Sequence, residues 1–200
     1  MESINQALFL AINASPNTSD GEVALAIFLA KYLILLLPVG LVTLWLAGGR
    51  DREGAVHGLL GVALVLLINF VIGLAWSEPR PFVAGVGTNL LAHAPTSAFP
   101  SNHASIMFTS AFVLMGTVAR TPRLLGKLLL LCALPVCWAR VYLGVHWPVD
   151  MLGGFLVSIV VALIMRTQSA RETSRITSAV FEGIYRRLLA WPIARGWLRR

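Results

Sequence analysis

The chain has 200 residues, of which 57% are hydrophobic and 12% charged, with a mean hydropathy of +0.77 and a formal net charge of +7. Soluble domains run at roughly 45–50% apolar and about 25% charged, so this composition excludes an ordinary soluble globular protein and places the chain in lipid. The basic excess is partitioned along the chain rather than pooled in one patch, which argues against a nucleic-acid partner.

In chain order, residues 1–13 carry Ile4, Ala7, Leu8, Ala11 and Ile12 at helical spacing. They are too few to cross a bilayer, which takes about 20 residues, and are expected to lie along its interface. Five apolar stretches follow, Val23–Ala47, Gly54–Trp76, Ala104–Ala119, Leu124–Ala139 and Val149–Met165, each read as a spanning helix. No basic segment or small-residue cleavage site precedes the first of them, so that span is expected to be retained. From residue 167 to 200, Ile184, Leu188, Leu189 and Trp191 interleave with Arg186, Arg187 and Arg195, the pattern of a helix on anionic lipid. The expected fold is all-α: an integral membrane bundle of about five transmembrane helices in one domain, residues 20–166. An interfacial N-terminal segment, 1–13, and a basic C-terminal tail, 167–200, flank it.

Charge orients the bundle. Of the 16 basic residues, 13 fall at 48–53, at 120–127 and after the fifth span. Five crossings put these three regions on one side, and the positive-inside rule makes that side cytoplasmic. Lys31, Arg80 and Arg140 remain toward the other face. Cys132 and Cys137 lie five apart in the fourth span, too far round a regular helix to bridge, and read as small apolar fillers.

Polar residues that a membrane protein would not hold without use concentrate at the outer ends of the spans. Glu78-Pro79-Arg80-Pro81-Phe82 presents Arg80 from a stiff, non-helical loop. Phe99-Pro100-Ser101-Asn102-His103 opens the third span, which puts His103 in a first helical turn where free N–H groups favour an anion. Between the fourth and fifth spans, His146 and Asp150 lie four residues apart. That spacing lets the carboxylate accept from one imidazole nitrogen and leave the other free. Arg80, Arg140, Ser101, His103, His146 and Asp150 on one face form an oxyanion cage with an orienting carboxylate. His93 lies in the same outer loop and Asn69 in the second span.

Arg80-Pro81, Pro100-Ser101-x-His103 and Arg140-x5-His146-x3-Asp150 resemble, in order and spacing, the three signature motifs of the type 2 phosphatidic acid phosphatase superfamily. The likeness covers about residues 20–165. Ala30-Lys31, Asn69, Pro79-Arg80-Pro81-Phe82, His93-Ala94-Pro95 and Trp138-Ala139-Arg140-Val141-Tyr142-Leu143-Gly144-Val145-His146 look closest to its bacterial undecaprenyl-diphosphate phosphatase branch, associated with bacitracin resistance. The resemblance implies a bacterial inner-membrane hydrolase, with no cofactor and no metal, acting on a lipid diphosphate presented at the outer leaflet during wall synthesis. It implies His146 as nucleophile forming a phosphohistidine, Asp150 as its orienting partner and His103 as general acid. Arg80, Arg140, Ser101 and Lys31 would hold the phosphate, with Asn69, Asn102 and His93 in support. Broader lipid phosphate substrates (phosphatidylglycerol phosphate, phosphatidic acid, diacylglycerol diphosphate), phosphotransfer to another lipid, and a non-catalytic lipid-binding or transport protein are the alternatives. Two positions depart from the motifs: Gly73 stands where the superfamily has a lysine, for which Lys31 is the expected substitute, and Ala139 where serine is common.

Overall fold

The computed structural model describes residues 2–198; Met1, Arg199 and Arg200, which end the two expected terminal segments, lie outside the described residues. The helices are α1 (Glu2–Ile12), α2 (Asp20–Tyr32), α3 (Leu36–Ala47), α4 (Arg50–Ala75), α5 (Asn102–Met115), α6 (Arg120–Tyr142), α7 (Pro148–Met165), α8 (Gln168–Leu188) and α9 (Ala190–Ala194). A single 3₁₀ turn, Leu33–Leu35, joins α2 to α3, and the two act as one crossing element, Asp20–Ala47. Among the described residues no strand occurs.

Four elements are long and apolar enough to cross a bilayer: Asp20–Ala47, α4, α6 and α7. The third expected span differs. α5 is 14 residues long, stopping at Gly116 rather than running to Ala119. It is the helix around which the others close: Ala104, Ser105, Met107, Phe108, Thr109, Ser110, Ala111, Val113 and Leu114 are all buried. Its neighbours turn glycines toward it, which lets backbones approach where a side chain would not fit. Gly58 and Gly61 of α4 sit against Leu114 and Val113, Gly126 of α6 against the backbone of Ala111 and Met115, and Gly154 of α7 against Ala104. A helix so enclosed meets protein instead of lipid, so neither its length nor its polar Ser105, Thr109 and Ser110 is set by the bilayer.

The helices alternate direction, so the turns at 48–49, 116–119 and 166–167 share one end of the bundle, while 76–101 and 143–147 share the other. The terminal helices clamp these two ends. On α1, Phe9 is fully buried and packs edge-on against Trp147 at 4.9 Å, leaving Ile4 and Leu8 exposed. Just past α1, Asn13 donates to the carbonyls of Thr88 and Tyr142 and accepts from the Thr88 N–H. At the opposite end, Arg52 is buried to 1% exposure, donating to Glu182 of α8 at 2.7 Å and to the Trp45 carbonyl at 2.9 Å. Its guanidinium lies over the rings of Trp45 and Tyr185.

The closeness of α5 to α6 is testable. A Cβ on Gly126 would stand 2.8 Å from both the Ala111 carbonyl oxygen and the Met115 nitrogen, backbone atoms that cannot swing away. Gly126→Ala is expected to destabilise the protein by about 1–3 kcal/mol through overpacking, read as a lowered unfolding temperature in detergent. Gly183→Ala, inside α8 with open space around it, is the matched control: it gains helix propensity without a clash and should leave that temperature equal or slightly raised.

Candidate active site

The site begins with the start of α7. Pro148 occupies the first helical position, where its missing N–H costs nothing, and Asp150 follows two residues later. Asp150 Oδ2 accepts from the Trp147 N–H at 2.8 Å and from His146 Nδ1 at 3.0 Å. The Asp150 carbonyl accepts from the Ser101 N–H at 3.1 Å, which ties the start of α5 to the start of α7. Ser101 in turn caps α5 with its hydroxyl, accepting from the Ala104 N–H.

Arg80 reaches the same point from the irregular stretch after α4. Its Nε donates to the Thr96 carbonyl at 2.9 Å, Nη2 to the Ser97 carbonyl and the Thr96 hydroxyl, and Nη1 to the Val145 carbonyl and to His146 Nε2 at 3.0 Å. A guanidinium has only donors, so His146 Nε2 is the acceptor and the ring proton sits on Nδ1, toward Asp150. His146 is 2% exposed and Asp150 0%. Burial first, then the positive charges of Arg140 and Arg80, hold the His146 imidazole well below the ordinary histidine range. It is a neutral base with a lone pair on Nε2.

That lone pair borders a cavity of about 570 Å³ lined by His146, Arg80, Arg140, His103, Asn102, Asn69 and His93, with Thr96, Ser97 and Gly73. Leu66, Phe70, Leu74 and Phe99 form its apolar wall, and Leu74 is 72% exposed on the outer surface of α4, so the cavity opens sideways toward lipid. Asn69 donates to Asn102 Oδ1 at 2.8 Å and to the Ser105 hydroxyl at 2.9 Å. The His93 ring lies edge-on to His146 at 6.2 Å.

Arg140 holds the unmet donors of this network, as Asn69 Oδ1 and Asp150 Oδ1 hold its unmet acceptors. Arg140 is 3% exposed, yet its Nε and Nη2 have no hydrogen-bond partner among the described residues. Unpaired donors on a buried charged group are costly. A guanidinium held this way beside a cavity is set for an anion that completes the network.

Two expected phosphate ligands are not brought here. The Ser101 hydroxyl is used as the α5 cap and does not line the cavity. Lys31 is exposed on α2: Ala26 and Ala30 form that helix's buried face, and one further residue turns the lysine about 100° away from it. Position 73, where the motif lysine is missing, does line the cavity, with only Ser97 near the place a Cβ would occupy. Reasoning from sequence overlooked Thr96 and Ser97, which fix Arg80. It also overlooked Trp147, whose indole donates to the Pro79 carbonyl at 2.9 Å. Only the polar character of 96–97, just ahead of the Pro100-Ser101 motif, hinted at the first pair.

An all-helical membrane bundle with a buried histidine–carboxylate couple and two guanidiniums around one lipid-facing cavity defines a membrane enzyme that handles an anionic group. The comparisons narrow the class. Residues 54–174 match the PAP2 superfamily model, and the chain belongs to that family, as its three motifs lead one to expect. It is 36% identical to "Putative undecaprenyl-diphosphatase YbjG" of Escherichia coli K12, across all of this chain and 99% of that protein. It is 29% identical to "Undecaprenyl-diphosphatase BcrC" of Bacillus subtilis 168, over 94% of this chain and 97% of that one. The crystal structure of Aquifex aeolicus LpxE superposes with a TM-score of 0.66 at 25% identity, covering 80% of this chain and 93% of that chain. The protein is a phosphatase of the membrane.

The position of Lys31 reverses the role expected for it. Lys31→Met should leave phosphate release from a lipid diphosphate within about twofold of the unsubstituted protein, the scale of an exposed substitution. A loss of a hundredfold would mean that the ammonium reaches the cavity after all.

Proposed function

We propose that the protein hydrolyses undecaprenyl diphosphate to the monophosphate, with the diphosphate in the cavity at His146 and the prenyl chain leaving past Phe70 and Leu74 into the bilayer. The observation that carries this reading is Arg140: a buried guanidinium with two unpaired donor nitrogens lining the same cavity as His146, whose Nε2 accepts from Arg80. The names of the two relatives supply the substrate, and the sideways opening suits a headgroup whose tail stays in lipid.

His146 Nε2 attacks the terminal phosphorus, its lone pair released as the Arg80 guanidinium moves onto a phosphate oxygen. Burial and the Arg140 charge hold the His103 imidazole down to about 3. The negative charge of the bound diphosphate offsets both, so that His103 takes up a proton with the substrate. As the bond from phosphorus to the bridging oxygen breaks, His103 gives that proton to the departing lipid monophosphate. Asp150 stabilises the positive imidazole that forms. Arg140 and Arg80 take the charge that spreads over the three equatorial oxygens, the neutralisation that a metal ion performs elsewhere. Water, deprotonated by His103, then displaces His146 and frees phosphate. Asn69, bonded to Asn102, fixes the wall beside His103, and His93 borders the bridging or lipid-proximal phosphate.

His146→Ala is expected to abolish phosphate release from undecaprenyl diphosphate by purified protein. Asp150→Asn, which keeps the shape and loses the charge, should lower the rate by roughly 10³–10⁴-fold while binding falls less. Near-normal turnover by His146→Ala would remove the nucleophile from this reading, and an equal loss of rate and affinity in Asp150→Asn would reduce the carboxylate to a helix cap.

The cavity end of the bundle faces the outside of a bacterial inner membrane in this reading, with α8 and α9 in the cytoplasm. The 13-to-3 division of basic residues supports it. In a background without Cys132 and Cys137, Ala84→Cys should react with an impermeant thiol reagent in intact spheroplasts and Gly183→Cys only after lysis. The reverse order would turn the cavity inward and take away the outer-leaflet substrate.

A further inference from the structure

At the end of α5 remote from His103, a second cavity of about 310 Å³ lies between the first turns of α4, the α5–α6 turn and the start of α8. The 14 residues of α5, about 20 Å at 1.5 Å per residue, separate it from the first, and the two share no lining residue. Its volume is at the lower end of the roughly 300–1,000 Å³ typical of ligand pockets.

Its walls are cationic. Arg50 and His57 from α4 and Arg171 from α8 face a single lining carboxylate, Glu53, across the backbone of Gly116–Ala119. Arg166 borders them, its Nε 3.8 Å from where a Cβ on Gly116 would stand. The other acids of α8 are already engaged: Glu182 by Arg52 and Arg186, and Glu172 by Arg175. Arg50, Arg166 and Arg171 have no carboxylate within ion-pair distance among the described residues, in contrast to Arg52, two residues along α4 from Arg50, which is paired with Glu182. His57 Nδ1 lies 2.8 Å from the Ser174 hydroxyl, which itself donates to the Ala170 carbonyl. The hydroxyl therefore accepts from Nδ1–H, and the Met165 backbone also bonds the imidazole.

Arg50, Arg166 and Arg171 are exposed at the mouth of this cleft; guanidiniums gathered there repel one another until an anion joins them, and their fork geometry fits phosphate oxygens. Basic pockets between helices at a membrane surface have this character. Val118, which lines the cavity, is 75% exposed, and Ile176, Val180, Ile184 and Leu188 leave an uncovered apolar stripe along α8. Acyl chains can lie there. We propose that the cavity formed by Arg50, His57 and Arg171 is a phosphate-binding site, separate from the active site. It would take a phosphate group presented by a phospholipid headgroup or as the free anion, and so fasten α8 to the α5–α6 turn.

The test compares the full-length protein with Arg171→Gln and with Arg50→Gln/Arg171→Gln. Each is purified in detergent and titrated with phosphatidylglycerol, phosphatidylcholine or inorganic phosphate, with retained ligand read by native mass spectrometry and unfolding temperature alongside. Loss of two charge-assisted contacts should weaken phosphatidylglycerol retention by roughly tenfold or more in the double variant, with phosphatidylcholine unaffected and undecaprenyl diphosphate turnover in lipid-free detergent unchanged. Inorganic phosphate that displaces the lipid and alone raises the unfolding temperature of the unsubstituted protein, but not of the double variant, supports the site with the free anion as ligand. Protection by phosphatidylglycerol alone supports the lipid. Equal retention of both anions by all three proteins overturns the proposal. If the double variant does not fold, Arg171→Gln, at an exposed position, must show a weaker but resolvable loss for the proposal to stand.

Discussion

Asp150 is the residue on which the arrangement of the active site depends. One carboxylate oxygen caps the start of α7 and holds His146 Nδ1, while the carbonyl of the same residue holds the N–H of Ser101. The two histidines of the site therefore take their positions from a single residue, His146 through its ring and His103 through the start of α5. Burying a carboxylate is costly unless its bonds are made; here Oδ2 has two donors, while Oδ1 has none among the described residues. The identity of those donors sets the tautomer of His146, and with it the side of the ring that faces the cavity.

Around that point the protein uses its arginines in different ways. Arg80 is saturated, joining the 96–97 segment to the 145–146 turn, so its charge is delivered by a rigid frame. Arg140 is buried with donors unpaired. Arg52, at the far end, is saturated again and serves packing, whereas its neighbours Arg50 and Arg171 are not. The arginines thus differ in their hydrogen bonds and not in their chemistry: Arg140 has donors to spare, whereas Arg80 has to give up its bond to His146 before it can take a phosphate oxygen in the proposed reaction.

The enclosure of α5 explains how a short, polar helix can lie at the centre of a membrane protein. Glycines of α4, α6 and α7 bring three backbones against it, and burying it in protein removes the length requirement that lipid imposes. The same closeness carries His103 from the start of α5 to the cavity bounded by α4 and the α6–α7 turn. The apolar wall of that cavity is Leu66, Phe70, Leu74 and Phe99, and of these Phe70 and Leu74 are exposed on the outer surface of α4.

Much of this was legible in the sequence. Apolar runs about 20 residues long announce spanning helices because lipid offers no other way to satisfy a backbone. The partition of arginines supports the proposed orientation, because charge is read locally during insertion. Arg80, His103, Arg140, His146 and Asp150 stood out as candidates because they are polar residues at the ends of apolar spans, with His146 and Asp150 at pairing distance along the chain. What lay beyond the sequence were contacts between distant segments: Asn13 with residue 88, Trp147 with Pro79, Arg80 with residues 96 and 97. The assignment of Lys31 to the cavity failed for a rotational reason. Depth along a helix follows from counting residues, but the face a side chain occupies follows from what the helix packs against, and Ala26 and Ala30 had already taken the inward face of α2. Ser101 was rightly placed at a helix start, yet the same placement occupied its hydroxyl. Sequence alone determined the solvent, the element types and the chemistry available at the site; the tertiary structure decided which side chains share the cavity, because that depends on long-range packing.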